Sequence, residues 1–173
     1  MVSSEYLAFI PLLIYGIALA DLLSQWKRLL KPNQLFIPYL FLTIILTETA
    51  IYNVFVYGKL INQLAGQNYS SYLSYLLPPF LFMLTINIFT PDQDSDTEEY
   101  FMKNMPVFLT LFSLFIASHF LYEFGESTPT IIVRVVGGIL VFIAGVSRKK
   151  WIFYTFCTLW VFSQFVKSGM ISS

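Results

Sequence analysis

The chain has 173 residues, 57% of them hydrophobic and 12% charged, with ten Lys and Arg against ten Asp and Glu. Soluble domains carry about twice that share of charge, so these figures, with a mean hydropathy of +0.69, exclude a soluble domain and point to a bilayer. One cysteine, Cys157, excludes an internal disulfide framework.

A run of about 20 apolar residues is long enough to cross a hydrocarbon core of about 30 Å. Six runs qualify, over roughly 5–25, 35–57, 71–90, 104–124, 129–147 and 151–169. They predict an all-α, polytopic membrane protein: six transmembrane helices in a compact bundle, forming one transmembrane domain over residues 1–173.

The first run opens in "MVSSEYLAFIPLLIYG", with no basic residue ahead of the apolar stretch and no small-residue cleavage pattern. It reads as a retained span and not a signal peptide. The second follows "KPN" (31–33), whose proline suits the first turn of a helix. The third contains Pro78 and Pro79, which should kink or break it.

Between the third and fourth runs, "DQDSDTEEYFMK" sets Asp92, Asp94 and Asp96 at the first, third and fifth positions of a calcium loop. Thr97 then stands where the loop needs glycine and Lys103 where it needs glutamate, so calcium binding fails. Ser95 with Glu98, or Asp96 with Glu99, fits a helix capping box instead. In the fifth run, Gly137, Gly138, Ala144 and Gly145 predict close helix contact.

Is the chain a repeat? "EYLAFIP" (5–11) against "EYFMKNMP" (99–106) is the support for two three-helix halves, and the proline offset differs between them. Topology has firmer support. "WKRLLK" (26–31) and "SRKK" (147–150) hold six of the ten basic residues. The positive-inside rule puts both loops in the cytoplasm, and six crossings then leave both termini outside a cell membrane. The Asn68-Tyr69-Ser70 sequon falls in an outside loop.

The polar residues inside the runs are the candidate site. Glu48 lies in "LTETAIYNVF", and Tyr52 and Asn53 share its arc of the second helix. At about 1.5 Å per residue, Glu48 and His119 sit roughly 20 Å from the cytoplasmic ends of their spans. Arg134, counted from Pro129, lies about 8 Å below the outer surface, at nearly the same level. Glu123 is four residues after His119, on the same helix face, with Glu5 and Lys167 closer to the outer surface. A charge near the bilayer centre costs at least about 2.5–3.5 kcal/mol. A bidentate pair between Glu48 and Arg134 would offset both costs. Such a pair can be a ligand or ion site, or a structural lock between two spans. Asp21 and Asn87 form a second polar level nearer the cytoplasm.

One histidine and one cysteine on different spans do not make a zinc site, and no metal is assigned. GxSxG, Walker and GxGxxG motifs are all missing from the sequence, so it supports no acyl-hydrolase, nucleotide-dependent or dinucleotide chemistry and specifies no cofactor. The basic loops are too short to hold nucleic acid. Two function classes lead: a small transporter, channel or ligand-binding protein with a polar site in the outer half, or a non-catalytic subunit, effector or scaffold; an intramembrane enzyme with Glu48 and His119 as its acid/base pair stands third. The partners implied are the lipid bilayer and, given the small size, a second copy or another membrane protein.

Overall fold

The apolar runs fold as six helices. The computed structural model describes residues 4–31, 34–64, 68–92, 95–121 and 128–167, and every element among them is helical. They are α1 (Ser4–Leu29), α2 (Ile37–Leu64), α3 (Tyr69–Phe89), α4 (Thr97–Ser118), α5 (Thr128–Ser147) and α6 (Lys150–Lys167). A 3-10 turn, His119–Leu121, extends α4.

Helices α1 to α5 are long and apolar enough to cross a membrane. Helix α6 is not among these candidates: lysines bound it, and Thr155, Thr158, Ser163 and Gln164 dilute its apolar side chains. The bundle therefore has five candidate spans and one further helix. Its outward side chains, such as Phe9, Leu13, Phe55, Ile139 and Val146, are exposed and apolar, as a lipid-facing surface requires.

Around the bundle the neighbours run α2, α1, α3, α4, α5, α6, and α6 returns to α2 over a shorter contact. Helix α1 thus lies between α2 and α3, whereas α5 lies between α4 and α6. The two three-helix halves are arranged around different members.

The starts of α2, α4 and α6 gather beside the end of α1. Tyr39 stacks on Phe89 at 4.5 Å, and Phe101 packs against Phe36, Phe108 and Phe153 at 5.4, 5.1 and 5.8 Å. The basic stretch 26–31 is mostly helix and not loop: Lys27 and Arg28 occupy the last turn of α1, where cations complement the helix dipole. Arg28 is buried. It donates to the carbonyls of Ser95 (2.8 Å) and Asp92 and to Thr97 Oγ1 (3.4 Å). Lys150 pairs with Glu98 at 2.9 Å. Asp96 caps α4, its carboxylate accepting from Glu99 N at 2.8 Å.

Of the expected kink or break, the break does not occur: α3 runs as one helix through Pro78 and Pro79. A proline frees the carbonyl four residues earlier, and here a neighbour takes it. Pro79 frees Tyr75 O, which accepts from the Tyr57 hydroxyl at 2.6 Å. Pro11 in α1 frees Leu7 O, which accepts from Tyr72 at 2.9 Å. Freed carbonyls thus become cross-helix ties.

Helices α4 and α5 approach closely at glycine. A Cβ on Gly145 would meet Leu109 Cβ at 3.0 Å, and one on Gly138 would meet Ile116 Cγ2 at 3.3 Å. Ser113 adds a hydroxyl bond to Gly138 O at 3.0 Å.

Candidate functional site

Away from the aromatic end, α2, α4, α5 and α6 surround a cavity of about 120 Å³. Its lining includes Glu48, Tyr52 and Asn53 from α2, His119 beyond α4, and Arg134 from α5. Five residues singled out from the sequence are thus brought together. Glu123 lies outside the described residues, and so does the side chain of Lys167. Asp21 and Asn87 do not join the interior: both side chains are exposed on the outer surface of the bundle.

Local chemistry explains which polar groups remain for the cavity. Thr43, Thr47 and Thr49 each return their hydroxyl to the carbonyl four residues earlier, at 2.8, 2.7 and 2.7 Å. That pattern satisfies hydroxyls within a helix, so the α2 threonines need no partner elsewhere. Asn53 also bonds backward, Nδ2 donating to Thr49 O at 2.8 Å. Its Oδ1 then points away from its own helix. There it meets the Tyr15 hydroxyl at 3.2 Å and His119 Nε2 at 2.9 Å. The histidine ring stands edge-on to Phe115 at 4.6 Å, with Nδ1 on Phe115 O at 2.9 Å. Tyr15, Asn53 and His119 are all buried, so α1, α2 and α4 meet through one polar cluster.

Arg134 lies 5.9 Å from the Phe120 ring centroid, a cation–π arrangement at the same end of α4. Opposite charges from α2 and α5 therefore border one space. The rest of the lining is mostly apolar, and the rings of Phe112, Phe115, Phe156 and Trp160 form part of it. Gly137 also borders the cavity, and a Cβ there would meet nothing within 4 Å. Such a volume has room for a few waters or a small solute, since one water needs about 10–15 Å³ measured this way.

Tyr15 and the α6 residues Trp160 and Ser163 were not among the sequence candidates. A tyrosine hydroxyl is not as costly in hydrocarbon as a charge or an amide, so depth alone does not single it out. Tyr15 lies roughly 16 Å along α1, near the middle of that candidate span. The α6 residues carry no such signal, because an aromatic and a serine in an apolar helix are ordinary packing groups. Comparison with protein-family models, curated proteins and solved structures finds no match to this chain.

Proposed function

We propose that this membrane protein binds a small polar or ionic solute in the cavity between α2, α4, α5 and α6. The convergence of Glu48, Asn53, His119 and Arg134 on one cavity carries this reading. Ionisable groups inside a membrane are costly and mark ligand or ion sites by default. The carboxylate and guanidinium orient a charged solute, while the surrounding rings exclude water and strengthen those contacts. The size suits a solute of a few non-hydrogen atoms. The alternative, a scaffold acting through self-association or a partner, draws on the apolar surface, which lipid already accounts for.

The basic end of the bundle faces the cytoplasm in this proposal, so the cavity belongs to the outer half and six crossings leave both termini outside. A cysteine at Tyr69 or Ser172 should then react with an impermeant reagent on sealed cells, and one at Leu30 should not. Labelling at Leu30 reverses the orientation, and protection at Ser172 alone means α6 does not cross.

Binding is tested by thermal denaturation in nanodiscs with small cations, anions, amines and carboxylic acids. A ligand that binds the folded state raises Tm. Gly137→Leu, which projects into open space, should leave the fold intact and abolish the rise. If no solute stabilises the wild type more than Gly137→Leu, the proposal fails.

A further inference from the structure

We infer that the cavity takes the amine head of a single-chain amphiphile, which enters sideways from the bilayer past Glu48. Its tail stays in a groove on the outer face of α2. The inference rests on the cavity reading above and names the class of solute and its way in.

A second space that shares two residues with the cavity carries it. A shallow groove of about 520 Å³ runs along the outside of α2. Its walls include Ile44, Ile51 and Phe55 and, from α1, Trp26, all of them exposed. Glu48 and Tyr52 line this groove and the cavity alike. Helical spacing explains the sharing. Ile44, Ile51 and Phe55 fall on one stripe, Glu48 and Tyr52 border it, and Thr49 and Asn53 continue round to the cavity. The two shared residues thus divide the lipid side from the interior. Across the cavity from them, α6 contributes Phe156, Leu159 and Trp160. Helix α2 meets α6 over a shorter contact than any other neighbouring pair around the bundle.

The divide selects the head. Thr47 returns its hydroxyl to Thr43 O at 2.7 Å, so the groove's polar character comes from the Glu48 carboxyl and the Tyr52 hydroxyl. An amine pairs with a carboxyl group in either protonation state. An ammonium donates to a carboxylate, and a neutral amine accepts from a carboxylic acid. The Tyr52 ring adds a face that attracts a cation. Arg134, which would attract an acidic head, borders the cavity but not the groove. An acidic head entering this way would have to pass Glu48 first. The cavity, about 120 Å³, has room for a head and not for a long chain, so the chain needs the second space. Lipid is as apolar as the groove, so the tail's contribution is position: it holds the head in the bilayer beside Glu48.

The full-length protein in nanodiscs is melted with dodecylamine, ethylamine or dodecanoic acid, since a ligand of the folded state raises Tm. Dodecylamine should act at a concentration about tenfold or more below that of ethylamine, because the bilayer concentrates it. Ethylamine acting at the same concentration overturns sideways entry. Dodecanoic acid has the same tail and should not raise Tm; a rise equal to that of dodecylamine overturns the choice of head. Ile51→Trp enlarges a side chain that is already 56% exposed, so the fold should survive. It should lose the dodecylamine rise and keep the ethylamine one, and equal dodecylamine rises in variant and wild type overturn the groove. Glu48→Gln should lose both, and an unchanged dodecylamine rise there overturns the pairing. Should Glu48→Gln fail to fold, Ile51→Trp and dodecanoic acid decide. A dodecylamine rise that survives Gly137→Leu puts the head outside the cavity and overturns the proposal. If both amines are inert while another small solute raises Tm in wild type and not in Gly137→Leu, this inference falls and the cavity reading stands.

Discussion

The two halves of the bundle solve opposite packing problems. At the basic end, the rings of Phe36, Tyr39, Phe89, Phe101, Phe108 and Phe153 fill the space between helices. The buried polar groups there include two that are spent on backbone: Arg28 on the Asp92 and Ser95 carbonyls, Tyr100 on Ile88 O at 2.9 Å. In the other half, α2 and α6 meet over a short contact and leave a cavity bordered by Glu48 and Arg134. Rings occur at both ends. What differs is whether the ionisable groups find backbone acceptors or a shared open space.

That contrast is open to measurement. Phe101 and Phe112 are equally buried, each 2% exposed. Phe101→Ala should cost about 3–5 kcal/mol, the usual range for a core phenylalanine. Phe112→Ala should cost clearly less, because its ring already borders empty space and loses fewer contacts. Equal losses in thermal or chemical unfolding would mean the cavity end is as tightly packed as the basic end.

Arg28→Lys comes next. Its planar fork reaches two carbonyls and a hydroxyl, and a lysine point charge does not reproduce that fork. Hydrogen bonds from charged groups contribute about 1.5–3 kcal/mol each, so a loss of about 2–3 kcal/mol in unfolding free energy is expected. A variant as stable as wild type would show that the 92–97 segment holds itself.

The Glu48–Arg134 relationship is sharpened by a double-mutant cycle. For groups acting on each other across the cavity, Glu48→Gln and Arg134→Met should be non-additive by about 0.5–3 kcal/mol. Simple additivity would remove the pair and leave two independent cavity charges. If the double variant folds and loses solute binding, the charges serve the site; if binding survives, they serve the fold.

The smallest effect is expected at Tyr57→Phe. It leaves the Tyr75 carbonyl, freed by Pro79, without its hydroxyl donor. A loss of about 1 kcal/mol follows. Combining it with Pro79→Ala should recover the loss, because the helix can then close its own bond. No recovery would separate the tyrosine tie from the proline.

The sequence by itself determined the helices and their order, and it singled out the charges that line one cavity. Bilayer thickness dictates span length, and a rise of about 1.5 Å per residue converts position into depth. Glu48, His119 and Arg134 were legible for that reason: each is too costly in hydrocarbon to be ordinary packing. The rotation of each helix was not legible. In lipid, the outer face is as apolar as the inner, so no hydrophobic periodicity marks the buried side. Asp21 and Asn87 therefore looked like Glu48 in sequence, and only the packing of α1 and α3 turns them outward. Arg28 read as a loop charge until Asp92, Ser95 and Thr97 were seen to receive its guanidinium. Tyr15 was one tyrosine among eleven until the α1–α2 contact set its hydroxyl on Asn53. Depth is a property of one helix, and partnership is a property of two, which is why only the tertiary structure assembled the cluster.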